Sequence, residues 1–81
     1  MKQLIEVTQE HIDKGRVHDG FRCPVAAAVK EATGEKWQVA PLWLRPARGG
    51  PTVWAPRSVV AFVRRFDRGE PVKPFRFWFE A

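Results

Sequence analysis

Apolar positions between residues 55 and 69 recur with the period of an α-helix. The members of this stripe are Val59, Phe62, Val63 and Phe66. Spacings of three and four residues place such side chains on one helical face, which packs against a core. Pro56 suits the first helical turn, and Gly69 suits the left-handed residue beyond the end. The pattern predicts a central helix that packs by this stripe onto a small sheet.

The N-terminal pattern predicts a strand followed by a short helix. Residues 2–7 carry the apolar side chains of the strand, and Thr8 is a favourable N-cap for a helix over residues 9–14. His11 occupies the third helical position, where a capping box has Glu or Gln. The reciprocal capping box is therefore not expected. Gly15 is expected to close this helix.

A second helix is predicted after a polar loop. Residues 15–22 contain two glycines and several charged side chains, which is typical of a loop. Cys23 and Pro24 then open a helix with proline at its first position, and Gly34 ends it.

Extended segments account for most of the remaining chain. Residues 37–45 are predicted to be one strand that lies at an edge or bends at Pro41. The Arg-Gly-Gly-Pro sequence at 48–51 predicts a turn, and residues 52–54 the returning strand of a hairpin. Residues 75–79 alternate strictly, with phenylalanines on one face and Arg and Trp on the other.

The order of elements, β-α-α-β-β-α-β, predicts an α+β fold. We expect a small antiparallel or mixed sheet of about four strands, with two to three helices packed mainly on one face. The 81 residues are expected to form a single domain, 1–81.

Positive charge is concentrated in the second half of the chain. The net charge is +5, and residues 1–44 carry six basic and six acidic side chains, so the excess lies in residues 45–81. This asymmetry is compatible with an acidic partner, either nucleic acid or an acidic protein surface, and equally with a solvated face that serves solubility.

Arginine and tryptophan supply the candidate binding site. The predicted binding residues, for protein or nucleic acid, are Arg45, Arg48, Arg57, Arg76 and Trp78. The first three are expected to surround the glycine hairpin, with Trp43 and Trp54 near by, and the last two to share the outer face of the final strand. Arginine and exposed aromatic rings grip single-stranded nucleic acid, and the same residue types dominate protein–protein hot spots.

Catalytic and metal chemistry have weak signals. Cys23 at a helix start, near His11 and His18, is compatible with a thiol nucleophile, although a buried structural cysteine is the more common outcome. With Asp13 and Asp19 these residues match no metal-ligand spacing. We expect no catalytic residue, no metal and no cofactor.

The cellular setting is predicted from absences in the sequence. A lone cysteine forms no internal disulfide, and neither a signal peptide nor a membrane-spanning apolar run is present. A cytoplasmic protein without a membrane partner is expected. The last strand would form a homodimer if it lies at a sheet edge.

A set of short motifs spans nearly the whole chain. They are Val-Thr-x-x-His-Ile-x-x-Gly at 7–15, Cys-Pro-Val-Ala-x-Ala at 23–28, Val39, Trp-x-Pro at 54–56, and Phe-Val-x-x-Phe-Asp-x-Gly-x-Pro-Val-x-Pro-Phe-x-Phe at 62–77. Together they resemble a group of small bacterial and bacteriophage proteins with no established activity. The resemblance implies a phage or mobile-element setting and transfers no functional residue.

Three functional hypotheses follow. The first is a non-catalytic phage or prophage protein, anti-CRISPR-like or otherwise inhibitory, that binds and occludes a host protein or ribonucleoprotein complex. This hypothesis rests on analogy with phage chains of this size. The second is a small basic nucleic-acid-binding module, and the third is a Cys-dependent enzyme.

Overall fold

The computed structural model describes residues 2–80, which form three helices and five strands in two antiparallel sheets. In chain order the elements are β1 (Lys2–Val7), α1 (Gln9–Lys14), α2 (Pro24–Thr33), β2 (Trp37–Val39), β3 (Trp43–Pro46), β4 (Val53–Trp54), α3 (Arg57–Asp67) and β5 (Phe75–Glu80). The α+β fold predicted from the sequence is confirmed.

The first and last strands pair with each other. β1 and β5 run antiparallel in a two-stranded sheet with Ile5 opposite Phe77. Ile5, Val7, Phe77 and Phe79 are buried, and the intervening residues of both strands are exposed. This confirms the alternation predicted for residues 75–79. It arises because one side of the sheet forms a wall of the core.

The other three strands form a meander in the order β2-β3-β4. The prediction of one strand over residues 37–45 is wrong, because the chain reverses at Pro41 and Leu42. The Ala40 N–H donates to the Trp43 carbonyl oxygen at 2.9 Å, and Val39 lies opposite Leu44. Proline favours the first central position of a tight turn, so it separates two strands here instead of bending one.

The central helix is α2 and not α3. α2 packs against β1, β2 and α1, and its core side chains include Val25, Ala28 and Val29. α3 buries Val59, Phe62 and Val63 and leaves Phe66 half-buried, so its predicted apolar stripe is confirmed.

The helix ends show one correction and one shift. A capping box closes α1, because the Thr8 N–H donates to His11 Nδ1 at 2.9 Å while the His11 N–H donates to Thr8 Oγ1 at 3.3 Å. An imidazole nitrogen thus replaces the carboxylate acceptor. Pro56 is the N-cap of α3 and not its first residue, and Gly69 is left-handed as predicted, with φ 75°.

Candidate functional site

The outer side of the three-stranded sheet carries a pair of tryptophans, of which Trp54 is exposed and Trp43 is half-buried. Its outward residues, here named the tryptophan-pair face, are Gln38, Trp43, Arg45 and Trp54. Trp43 lies directly opposite Trp54, whose side chain is 75% exposed. The inner side of these strands is filled by Trp37, Val39 and Leu44, which fix the sheet to the core. None of the outward positions carries a carboxylate.

Arg45 is held beside this pair by two neighbours. Its Nη2 donates to Gln38 Oε1 at 3.1 Å, and its guanidinium carbon lies 5.0 Å from the centroid of the Trp43 ring. Gln38 and Arg45 are also directly opposite each other in the β2–β3 pairing. The guanidinium therefore extends along the sheet surface next to an aromatic ring, with no described carboxylate paired to it.

Arg48 and Arg57 lie at opposite ends of the β3–β4 hairpin. Arg48 is in the turn, where its Nη2 is 2.9 Å from Glu35 Oε1, so its charge is already paired. Arg57 begins α3 just beyond Trp54, at the end of β4 away from Gly49 and Gly50. Arg57 is exposed. The binding role predicted for Arg48 and Arg57 stays a prediction.

Arg76 and Trp78 lie on a different sheet. The outward residues of β1 and β5, here named the charge-paired face, are Lys2, Leu4, Glu6, Arg76, Trp78 and Glu80. Each basic residue stands opposite an acidic one, Lys2 to Glu80 and Arg76 to Glu6, while Trp78 stands opposite Leu4. Trp78 is 60% exposed. The five predicted binding residues are thus all exposed, but the fold divides them between two surfaces.

The edge of β5 bears on the predicted homodimer. β5 pairs only with β1 within residues 2–80, so its second edge has no strand partner there. Self-pairing through this edge stays a prediction.

A basic cavity lies between α1, α2, the loop after α1 and the start of β2. The composition of this part of the chain does not indicate it. The cavity volume is about 330 Å³, and the cations that line it are Lys14, Arg16, Arg22, Lys30 and Lys36. All five belong to residues 1–44, whose net charge is zero. No local pattern in the sequence marks this cavity, because the fold brings the basic side chains together and places the acidic ones elsewhere.

Cys23 lies in a buried, hydrogen-bonded position. Its Sγ accepts a hydrogen bond from the Ala26 N–H at 3.4 Å and so caps α2. Burial raises the pKa of the Cys23 thiol, which disfavours the nucleophilic thiolate. Cys23, His18 and Asp67 line one cavity of about 260 Å³, but the hydrogen bond between His18 and Asp67 uses the His18 backbone N–H.

His11 has a structural environment. With Nδ1 accepting from Thr8, Nε2 is free to donate to Glu31 Oε2, which is 3.0 Å away. Nowhere in residues 2–80 do three His, Cys, Asp or Glu side chains gather as a metal site. The helices in this part of the chain are also too short or too polar to traverse a bilayer.

Comparisons of the chain with protein-family models, with curated proteins and with solved structures returned no match. No known activity is therefore transferred to this chain.

Proposed function

We propose that this protein is a non-catalytic module that binds single-stranded nucleic acid on the tryptophan-pair face. The observation that carries the proposal is the Trp43–Trp54 pair on an exposed sheet surface, with the Arg45 guanidinium 5.0 Å from the Trp43 ring. Exposed rings on a sheet stack unpaired bases, and neighbouring cations contact the phosphates between them.

The arrangement of charge supports the same partner. Arg45 lies on the tryptophan-pair face, and Arg48 and Arg57 lie at the two ends of the hairpin that forms it. A strand that crosses the face would meet Arg45 beside the rings and Arg57 beyond them, whereas Arg48 at the other end of the hairpin is paired with Glu35. Because the outward positions hold no carboxylate, nothing on this face repels phosphate.

The host-directed hypothesis is compatible with this surface. In the phage setting implied by the motif resemblance, the target would be a host ribonucleoprotein in the cytosol that exposes single-stranded RNA. The protein would occlude that RNA by the same stacking contacts. Its capture from host lysate should then depend on Trp54 and should be abolished by ribonuclease, whereas a purely protein target would survive that treatment.

The test is fluorescence anisotropy of a labelled single-stranded oligonucleotide at 50 and 200 mM salt. Base stacking contributes about 1–3 kcal/mol per base, so Trp54→Ala should weaken binding about 5- to 150-fold. Trp78→Ala is the matched control, since it also removes an exposed tryptophan, and should leave affinity unchanged. Equal losses in both variants, or no binding by the native chain at low salt, would refute the proposal.

A further inference from the structure

We propose that the basic cavity is a second binding site, specific for two or more adjacent phosphate groups. The phosphates would be carried either by a free polyphosphate or nucleotide, or by the backbone of a nucleic-acid strand. This site does not depend on the tryptophan-pair face, because none of the residues of that face lines the cavity.

The charge of the cavity is almost uncompensated. Among the residues that the structure describes, its lining contains five basic side chains and no carboxylate. Within residues 2–80, the only ion pair made by any of the five joins Lys14 Nζ to Glu10 Oε2 at 3.5 Å, and both side chains are more than 70% exposed. Such a pair is screened by water and contributes little. The cavity therefore keeps a strong preference for a multiply charged anion.

Local structure brings these cations to one place. The Arg16 N–H donates to the Arg22 carbonyl oxygen at 2.9 Å, which closes the loop and holds both arginines at the same rim. Lys36 Nζ lies 5.0 Å from the centroid of the Phe21 ring, on the β2 side. Lys30 is contributed by α2. Guanidinium groups bind phosphate oxygens in bidentate geometry, and lysines add point charge.

The space suits an oligophosphate. Ala26 and Ala27 of α2 line the cavity with the smallest side chains that a helix uses, so the volume of about 330 Å³ is left unfilled. Ligand pockets begin at about 300 Å³. A di- or triphosphate is smaller than this volume, which leaves room for its bound water or for an attached sugar.

One residue of the cavity lining, Trp37, also carries a buried donor without a partner in the described part of the chain. Trp37 lines the cavity and is only 4% exposed. Its indole Nε1 is the only buried side-chain nitrogen or oxygen without a hydrogen-bond partner in residues 2–80. Buried unpaired donors are rare and require an explanation. Because Trp37 is part of the cavity wall, its indole N–H signal reports on a ligand that enters the cavity.

The test follows the four indole N–H signals in ¹H–¹⁵N NMR spectra during titration with sodium tripolyphosphate. The Trp37 signal should shift to saturation while the Trp54 and Trp78 signals stay in place. Trp37→Phe assigns the signal directly. If that variant does not fold, Trp43→Phe, Trp54→Phe and Trp78→Phe assign it by elimination.

Two matched double variants distinguish binding in the cavity from non-specific attraction to the positive charge of the protein. Arg22→Gln with Lys30→Gln removes two charges from the cavity, and Arg64→Gln with Arg65→Gln removes two exposed charges from α3. The first should weaken tripolyphosphate binding at least about tenfold, and the second should leave it within about twofold. Tripolyphosphate at a hundredfold excess over Kd should also raise the Tm of the native chain by at least about 5 °C.

A parallel titration with a single-stranded oligonucleotide identifies the source of the phosphates. A Trp37 shift with tripolyphosphate identifies a free polyphosphate, and a shift with the oligonucleotide alone identifies a strand. The tripolyphosphate titration is repeated with the Trp54→Ala variant, which tests binding in the cavity when the tryptophan-pair face is disabled. A Trp37 signal that moves with neither ligand, or equal losses in the two double variants, would overturn the proposal.

Discussion

The two sheets both expose arginine and tryptophan, but the residues opposite them in the neighbouring strand differ. On the charge-paired face, Arg76 stands opposite Glu6 and Trp78 opposite Leu4. On the tryptophan-pair face, Trp54 stands opposite a second tryptophan, and Arg45 opposite the neutral Gln38. The first surface carries equal numbers of basic and acidic side chains, and the second carries only a basic one.

This difference shows that strand pairing, and not composition, decides which side chains stand next to each other on a surface. A carboxylate directly across the strand offsets the field of an arginine and repels an approaching phosphate. An amide across the strand instead holds the guanidinium in place and leaves its charge available. Of the two sheet faces, we therefore propose that only the tryptophan-pair face binds nucleic acid.

The largest expected effect comes from the residue beneath the tryptophan-pair face. Leu44 is fully buried under β3, whereas Leu42 in the adjacent turn is half-exposed. Leu44→Ala should lower the free energy of unfolding by about 2–5 kcal/mol, because it leaves a cavity. Leu42→Ala should change it by less than about 0.5 kcal/mol. Urea denaturation measures both, and similar losses would contradict the packing of Leu44 in the core.

Arg45→Gln should weaken oligonucleotide binding about fivefold and reduce the salt dependence. Loss of one phosphate contact lowers the slope of log K against log salt by about 0.7 for a single strand. Arg76→Gln is the control on the other sheet and should alter neither quantity. Anisotropy at four salt concentrations gives both slopes. If Arg76→Gln produced the larger change, the two faces would have been assigned the wrong way round.

Removing the acidic side chains of the charge-paired face should make its binding properties more similar to those of the tryptophan-pair face. Glu6→Gln with Glu80→Gln leaves Lys2 and Arg76 without opposite charges. Weak additional binding should appear, raising apparent affinity about twofold to threefold at 50 mM salt and disappearing at 200 mM. The same assay measures it. No gain at low salt would show that cross-strand carboxylates are not what keeps this face from binding phosphate.

The smallest effects are expected at Cys23, and they bear on the thiol-enzyme alternative. Iodoacetamide should alkylate the native protein at pH 7.5 at least about tenfold more slowly than free cysteine, because the thiol is buried and its pKa is raised. A fast reaction, followed by mass spectrometry, would favour that alternative.

The same thiol has a consequence for stability. Its pKa is raised in the folded chain, so the native state holds the proton more tightly than the unfolded state. This contribution is complete below the ordinary thiol pKa and is lost as pH rises through the alkaline range. Urea denaturation between pH 7 and 10 should show a fall that Cys23→Ala reduces.

Elements with complete local signals were predictable from the sequence. The alternation of residues 75–79 and the ends of α2 at Cys23 and Gly34 each depend on a few neighbouring residues. Pro41 was ambiguous, because a proline between two apolar runs fits a bend as well as a reversal. The pairing of Ala40 with Trp43 decided it, and that contact is not visible in a pattern of single residues.

The candidate sites were predictable in residue type but not in grouping. Arg76 and Trp78 share the outward face of the last strand, as its alternating pattern indicates. The division of the candidate residues between two surfaces follows from the pairing of the first strand with the last, which brings Glu6 opposite Arg76. The basic cavity was missed for a related reason: in residues 1–44 equal numbers of acids and bases cancel along the chain but separate in space.

The most direct measurement is a ¹H–¹⁵N NMR titration of the native chain with a single-stranded oligonucleotide, read at the indole N–H signals of the outward-facing tryptophans of the two sheets. The signals of Trp43 and Trp54 should shift together with a common Kd, while the Trp78 signal stays fixed. A Trp78 signal that shifts while those of Trp43 and Trp54 remain in place would contradict the assignment of nucleic-acid binding to the tryptophan-pair face.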